Sequence, residues 1–138
     1  EPLAWLHGDK GLGKTPLAAA VLNSRLESPG LALGKFVHVE DWLDHLRAGM
    51  ADNSYSERFH LYCDAPLLVL DDLGAHQGTP WAVAKVDQLL DYRYRNKFPT
   101  IVTTNPRATL PDRAEDRLRD ARICRRFELR GSSYRRVA

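Results

Sequence analysis

The residue types best suited to phosphate chemistry lie near the start of the chain. Eight consecutive positions match the pattern G-x-x-x-x-G-K-[ST] at every fixed position: Gly8-Asp9-Lys10-Gly11-Leu12-Gly13-Lys14-Thr15. Glycines let the backbone curl so that successive N–H groups point at phosphate oxygens. In this pattern the lysine contacts the β- and γ-phosphates, and the final hydroxyl ligates Mg²⁺. Residues Gly8 to Pro16 are therefore predicted to bind a nucleotide, with Lys14 on its phosphates and Thr15 on the metal.

A second candidate site is the acidic pair Asp71-Asp72, which follows the apolar run Leu67 to Leu70. Mg²⁺ prefers hard oxygen ligands, and a carboxylate at a strand tip can supply one, often through water. We expect Asp71 to take that role and Asp72 to orient and deprotonate the attacking water. The alternative for Asp72 is a cap on the following turn.

A third polar cluster ends another apolar run, in the order Ile101-Val102-Thr103-Thr104-Asn105. An uncharged amide at this place could hold the attacking water or touch the γ-phosphate. The alternative is that Asn105 only begins the turn into Pro106.

Apolar patterns divide the chain into alternating strands and helices that would position these sites. The predicted strands are Leu3 to His7, Phe36 to Val39, Pro66 to Leu70, Thr100 to Thr104 and Phe127 to Leu129. The predicted helices are Thr15 to Leu26, Glu40 to Arg47, Tyr55 to Cys63, Trp81 to Asn96 and Ala114 to Arg122. The predicted inner side of the fourth helix consists of Val83, Val86, Leu89, Leu90 and Tyr94.

This alternation indicates an α/β fold with a central parallel sheet flanked by helices. Together with the phosphate-loop motif after the first strand, it predicts a three-layer P-loop NTPase. Ligands of such sheets bind at the carboxyl ends of the strands. The loop after His7, the aspartates after Leu70 and the polar residues after Val102 all fall there.

Length and composition fit one globular domain of 138 residues, 43% of them apolar and 28% charged. No apolar stretch is long enough to cross a bilayer and no secretory leader opens the sequence, so we expect a cytoplasmic protein without membrane contact. Cys63 and Cys124 lack a paired spacing, which favours reduced thiols. The sequence begins with Glu1 rather than Met and apolar strand-like residues follow at once, so we expect a fragment lacking an N-terminal partner-binding region.

Together these motifs resemble the AAA+ ATPases, specifically the DnaC/DnaI branch of bacterial replicative helicase loaders and the similar IstB transposition ATPases. The resemblance rests on four segments: the phosphate loop, LLVLDDLG, YRYRNKFPTIVTTN and DRLRDARICRRFELRGSSYR. The resemblance covers Leu3 to Arg136 and implies ATP and Mg²⁺ as ligands. It also implies ATP hydrolysis, a replicative DNA helicase and single-stranded DNA as partners, and self-association.

The resemblance further assigns roles at single positions. Asn105 matches sensor 1, and Arg135 matches the sensor 2 arginine. Arg117 matches the arginine finger, which in this family acts in trans on the ATP of a neighbouring subunit. Arg119 and Arg122 compete for that role, since the spacing to Tyr134-Arg135 is longer than the family pattern.

Candidates for DNA contact lie in two segments that combine basic and aromatic residues, as single-strand binding requires. They are Trp42, His45, Arg47, Tyr55 and Arg58 in the first, and Arg93, Arg95 and Lys97 in the second. Trp42 has helical spacing with Leu43 and Leu46, which favours a place in the core. From Arg107 onward ten Arg face five Asp or Glu, so this end could meet DNA, an acidic partner or phosphate.

Three functions remain open from the sequence: a helicase-loader ATPase, an IstB-like transposition helper, and a nucleotide-gated binding module with incidental turnover. A small-molecule kinase is disfavoured because no Arg-rich lid is visible.

Overall fold

The computed structural model describes residues 2–8, 17–18, 34–74, 79–105 and 109–129. The strands in these ranges are β1 (Leu3–Gly8), β2 (Gly34–His38), β3 (Leu67–Asp71), β4 (Thr100–Thr104) and β5 (Cys124–Leu129). The helices with full bounds are α1 (Val39–Ala51), α2 (Tyr55–Cys63), α3 (Pro80–Arg95) and α4 (Asp112–Leu118). The helix predicted from Thr15 lies outside the described residues except for Leu17 and Ala18, which are helical.

The five strands form one parallel sheet in the order β2-β3-β4-β1-β5. All five residues of β3 and all five of β4 are buried, because each strand has a neighbour on both sides and packing on both faces. This explains why their sequences are apolar without alternation. The predicted parallel α/β fold is confirmed.

The core lies on both faces of the sheet. On one face, alternate strand residues such as Trp5, Leu70 and Val102 pack against apolar side chains of the helices. Those helical residues include Trp42, Leu43 and Leu46 of α1, Val86, Leu89 and Leu90 of α3, and Ala114 and Leu118 of α4. On the other face, Leu6, Val69 and Ile101 pack with Ala18. The sheet is therefore a middle layer, as predicted.

Element boundaries follow local capping. Helix α3 begins at Pro80, whose missing N–H is tolerated in a first turn, and the Thr79 hydroxyl accepts a hydrogen bond from the Ala82 N–H at 3.2 Å. Helix α4 covers Asp112–Leu118 instead of the predicted Ala114 to Arg122. Its continuation is stopped where the Asp120 carboxylate accepts from the Arg122 backbone N–H at 3.0 Å. None of the described helices has the length and apolar character needed to cross a bilayer.

The largest departure from the sequence prediction is Arg93, which was a candidate for DNA contact and is fully buried. Its guanidinium donates to the carbonyls of Tyr62, Cys63, Ala65 and Pro99 and to the Thr100 hydroxyl, at 2.7 to 3.0 Å. Burial lowers the pKa of Arg93 to about 10, which leaves it charged at neutral pH. Arg93 thus joins the end of α2, α3 and β4 and cannot touch DNA.

Candidate functional site

The carboxyl ends of β1, β3 and β4 meet at one edge of the sheet. His7 is in register with Thr104, and β4 lies between β1 and β3. Neighbouring strands are about 4.8 Å apart, so Gly8 and Asp71 are separated by roughly two strand spacings, on the order of 10 Å. The predicted loop residues Asp9 to Pro16 lie outside the described residues. Their starting point, Gly8, is buried at the end of β1.

Asp71 is buried, with 3% of its surface exposed, and its carboxylate is held from both neighbouring strands. Thr103 of β4 donates from Oγ1 to Oδ1 at 2.8 Å. His38 at the end of β2 lies with Nδ1 2.7 Å from Oδ2. Since a carboxylate can only accept, that nitrogen carries the hydrogen. These two contacts fix the plane of the carboxyl group.

Asp72 has a left-handed backbone conformation, with φ at 63°. Its N–H donates to the Thr103 hydroxyl at 2.8 Å, and the Leu73 N–H donates to the Thr103 carbonyl at 2.9 Å. Asn105 donates from Nδ2 to the Asp72 Oδ1 at 3.2 Å. The structure therefore brings Asp71, Asp72 and Asn105 together at adjacent strand ends. The Asp72 side chain thus contacts the end of the neighbouring strand.

The donor set suits a magnesium ion held mainly by a nucleotide. Among the described residues there is no group of three His, Cys, Asp or Glu that could hold a metal by itself. Mg²⁺ normally keeps several waters and uses one or two carboxylates together with substrate phosphates. A single buried carboxylate at Asp71 fits that requirement. Thr15, the other predicted ligand, lies outside the described residues.

The candidate arginines occupy different environments. Arg117 of α4 donates from Nε and Nη2 to the Asp91 Oδ1 at 3.0 and 2.5 Å, and from Nη1 to the Arg113 carbonyl. Arg119 pairs with Glu115 at 3.0 Å and Arg122 with Asp120 at 2.9 Å. All three alternatives for the finger are thus ion-paired within the chain. Arg135, the predicted sensor 2 arginine, lies outside the described residues.

Basic and aromatic side chains meet on the outer side of α1, α2 and α3. The guanidinium of Arg47 lies 4.9 Å from the ring centre of Trp81, and the ammonium of Lys85 lies 5.0 Å from that of Tyr55. These four residues are called the aromatic–basic surface below. Trp42 is fully buried, as its spacing predicted. Arg58 donates to Ser54, to Asp52 and to the carbonyl of His45.

The sequence did not predict four residues that belong to the Asp71 site and to the aromatic–basic surface. His38 and Thr103 hold Asp71, and Trp81 and Lys85 complete the aromatic–basic surface. Thr103 had a signal, since it belongs to the polar end of a buried strand. His38 had none, because its contact depends on the β2–β3 register, which pairs it with Asp71 over 33 positions of sequence.

Known proteins are similar to this chain in sequence. Residues 4–136 match the family of IstB-like ATP binding proteins. The replicative helicase loader DnaI of Bacillus subtilis is 29% identical over 102 residues, which are 73% of this chain and 32% of DnaI. An insertion-sequence protein of Mycobacterium tuberculosis, named for ATP binding, is 30% identical over 100 residues, or 72% of this chain and 39% of that protein. The chain thus spans between 32% and 39% of the length of these relatives.

The fold of this chain is also similar to that of a solved structure. The crystal structure of the DnaC helicase loader superposes with a TM-score of 0.78 at 24% identity, covering 93% of this chain and 78% of that one. At this identity the likeness shows the fold alone, a parallel α/β sheet flanked by helices.

Proposed function

This chain belongs to the family of IstB-like ATP binding proteins, and on that basis we propose that it hydrolyses ATP in a Mg²⁺-dependent reaction. The observation that carries the proposal is the cluster of Asp71, Asp72 and Asn105 at the strand ends beside β1. The phosphate-loop motif begins where β1 ends, so a nucleotide held by that loop would place its terminal phosphates beside the cluster. Residues 1–138 would then act as one AAA+ ATPase domain of a longer cytoplasmic protein.

The proposed roles follow from chemistry and placement. Gly8 to Pro16 form the phosphate-binding segment, in which the backbone N–H groups of the non-proline residues donate to the phosphates and Lys14 contacts the β- and γ-phosphates. Thr15 and Asp71 would hold Mg²⁺, which would neutralise charge on the phosphate oxygens. Asp72 accepts a proton from the water that attacks the γ-phosphorus, and Asn105 orients Asp72 and that water. The bond between the γ-phosphorus and the oxygen that bridges it to the β-phosphate breaks, which gives ADP and phosphate.

Two substitutions in the full-length protein test this scheme. Lys14→Ala is expected to abolish ATP binding measured by calorimetry. Asp72→Asn is expected to retain ATP binding and to lower the hydrolysis rate by about 10² to 10⁴ fold, the usual contribution of a general base. Glu57→Gln, on the exposed surface of α2, is the matched control and should leave both unchanged. Unchanged ATP binding in Lys14→Ala would overturn the proposal.

The cellular role proposed for this ATPase is that of a replicative helicase loader that binds single-stranded DNA. Support comes from the likeness to DnaI and from the aromatic–basic surface, since single-strand binding combines cations with aromatic platforms. Fluorescence anisotropy with a labelled oligonucleotide tests it. Trp81→Ala with Arg47→Ala should weaken binding about tenfold or more, given about 1–3 kcal/mol for each stacked base. The exposed Glu57→Gln is again the control.

The alternative role, a transposition helper, is supported by the family and by the insertion-sequence relative. The two roles predict different partners. ATP-dependent co-purification of the full-length protein with a replicative helicase supports the loader, whereas co-purification with a transposase, together with tight binding to duplex DNA, supports the helper. A nucleotide-gated module with incidental turnover predicts that Asp72→Asn leaves partner binding intact.

A further inference from the structure

We propose that Thr103 is the positioning residue of the site: its hydroxyl sets Asp71 and Asp72 in the relative orientation that hydrolysis requires. This inference rests on the proposed ATPase function and deepens it. Thr103 is buried, with 2% of its surface exposed, and it belongs to the strand beside the two aspartates.

One hydroxyl makes both contacts, and each has a defined direction. The single hydrogen of Oγ1 is donated to the Asp71 Oδ1 at 2.8 Å, because an ionised carboxylate only accepts. A lone pair of the same oxygen accepts the Asp72 N–H, also at 2.8 Å. The hydroxyl is thus a bridge from the side chain of one aspartate to the backbone of the next. Neither a valine nor an alanine at this position can make either contact.

The bridge lies where regular strand pairing stops. The register of β3 with β4 runs from Leu68–Thr100 to Leu70–Val102. Beyond Leu70 the chain is bonded to Thr103, and the Leu73 N–H donates to the Thr103 carbonyl. Thr103 therefore joins the tip of β3 to β4 through both its hydroxyl and its carbonyl.

Asp72 needs this support because its φ of 63° is a conformation that residues other than glycine rarely adopt. In that conformation its carboxylate meets the Asn105 amide at 3.2 Å, at the next strand end. Losing the Thr103 hydroxyl removes the partner of the Asp72 N–H. The backbone is then free to leave the left-handed region, which takes the Asp72 carboxylate away from Asn105.

The test compares three substitutions in one strand of the full-length protein. Thr103→Val removes both contacts while keeping the shape, and Thr103→Ser keeps the hydroxyl. Thr100→Val is the matched control, because Thr100 is equally buried but lies at the other end of β4, about 10 Å away by strand rise. Its hydroxyl bonds Arg93 and the Phe98 carbonyl instead. The measurements are kcat, KM for ATP and thermal midpoint.

Thr103→Val is expected to lower kcat at least tenfold with KM for ATP changed less than threefold, and Thr103→Ser to restore kcat to within threefold of wild type. Thr100→Val is expected to lower the thermal midpoint without changing kcat. The inference is overturned if Thr103→Val turns over as fast as wild type, or if Thr100→Val loses as much kcat. If Thr103→Val does not fold, Thr103→Ala replaces it, and equal loss in the Ala and Ser variants overturns the inference. Absence of hydrolysis by the wild-type protein would instead defeat the proposed function.

Discussion

Arg117 and Asp91 join α4 to α3 through a paired contact, in which Nε and Nη2 both donate to the same carboxylate oxygen at 3.0 and 2.5 Å. The other oxygen of Asp91 pairs with Arg95 at 2.9 Å. Arg117 also lines an open cleft of about 410 Å³ between these helices. The arginine that the family resemblance assigns to a neighbouring subunit's nucleotide is thus accessible, but is held by its own chain. It must exchange Asp91 for phosphate if it acts in trans.

We expect Arg117→Ala to lower kcat by about 10³ fold, the smaller end of the arginine-finger range, with ATP binding unchanged. A mixing experiment tests action in trans. Lys14→Ala subunits are expected to lose ATP binding but to carry Arg117, whereas Arg117→Ala subunits are expected to bind ATP but to lack the proposed finger. Mixing the two inactive proteins should restore part of the hydrolysis. No recovery on mixing would exclude a role in trans for Arg117.

The competing arginines are tested in the same assay. Arg119 and Arg122 are exposed and paired with Glu115 and Asp120 on the surface. Arg119→Ala and Arg122→Ala should keep wild-type turnover. A different result would reassign the finger. If Arg119→Ala or Arg122→Ala abolishes hydrolysis, mixing with Lys14→Ala subunits restores it, and Arg117→Ala stays active, then the finger is the arginine replaced in the inactive variant.

Asn105→Ala is expected to lower kcat by about 10² fold, which is typical for removing one preorganised hydrogen-bond donor, and to leave the affinity for ATP unchanged. The reason is that Asn105 donates to the Asp72 carboxylate at 3.2 Å. Asn105→Asp should be worse, since it sets a second carboxylate against Asp72. Asn96→Ala is the control: its amide bonds the Tyr92 carbonyl at the end of α3. Equal kcat in the Ala variants at 105 and 96 would contradict the assignment.

The sequence predicted most elements because burial on both faces leaves unbroken apolar runs, as in β3 and β4. It was less informative where chemistry and periodicity disagreed. Positions 86, 89, 90 and 93 lie on one side of α3, and this spacing put Arg93 inside, but its charge favoured a surface assignment. Val83 was predicted inside yet lines the outer cleft, while Ala82 is buried in its place.

The site was predictable in part for a similar reason. Asp71, Asp72 and Asn105 carry chemistry in their residue types and follow strands whose ends must meet. Thr103 and His38 act through hydrogen bonds to Asp71 that depend on strand register, 32 and 33 positions away in sequence. A single sequence contains no signal for such pairings, and the left-handed turn at Asp72 is likewise visible only in the fold.

Arg93→Met is expected to lower the free energy of unfolding by about 3–5 kcal/mol, because it leaves buried carbonyls without donors. Burying the charged guanidinium of Arg93 costs free energy because it loses its hydration. Its five hydrogen bonds offset that cost. Urea denaturation, read as the midpoint at constant m, measures the loss. Arg95→Met is the matched control two positions away, exposed and ion-paired, and should change stability by less than about 1 kcal/mol. Equal effects of the two substitutions would contradict the structural role of Arg93.

The two cysteines should report unfolding. Cys63 and Cys124 are buried thiols, and burial raises the pKa of the Cys63 thiol to about 12. A thiol whose pKa is higher in the folded state binds its proton more tightly there. The stability it contributes is therefore complete below the unfolded pKa of about 8.5 and is lost as pH rises from there toward the folded value.

At pH 8 the folded protein should resist iodoacetamide at both positions, and urea-unfolded protein should take up two groups in mass spectrometry. A Cys63→Ser variant should take up one group under the same conditions. Rapid labelling of Cys63 in folded protein would show that the α2–β3 junction opens far more readily than its packing implies.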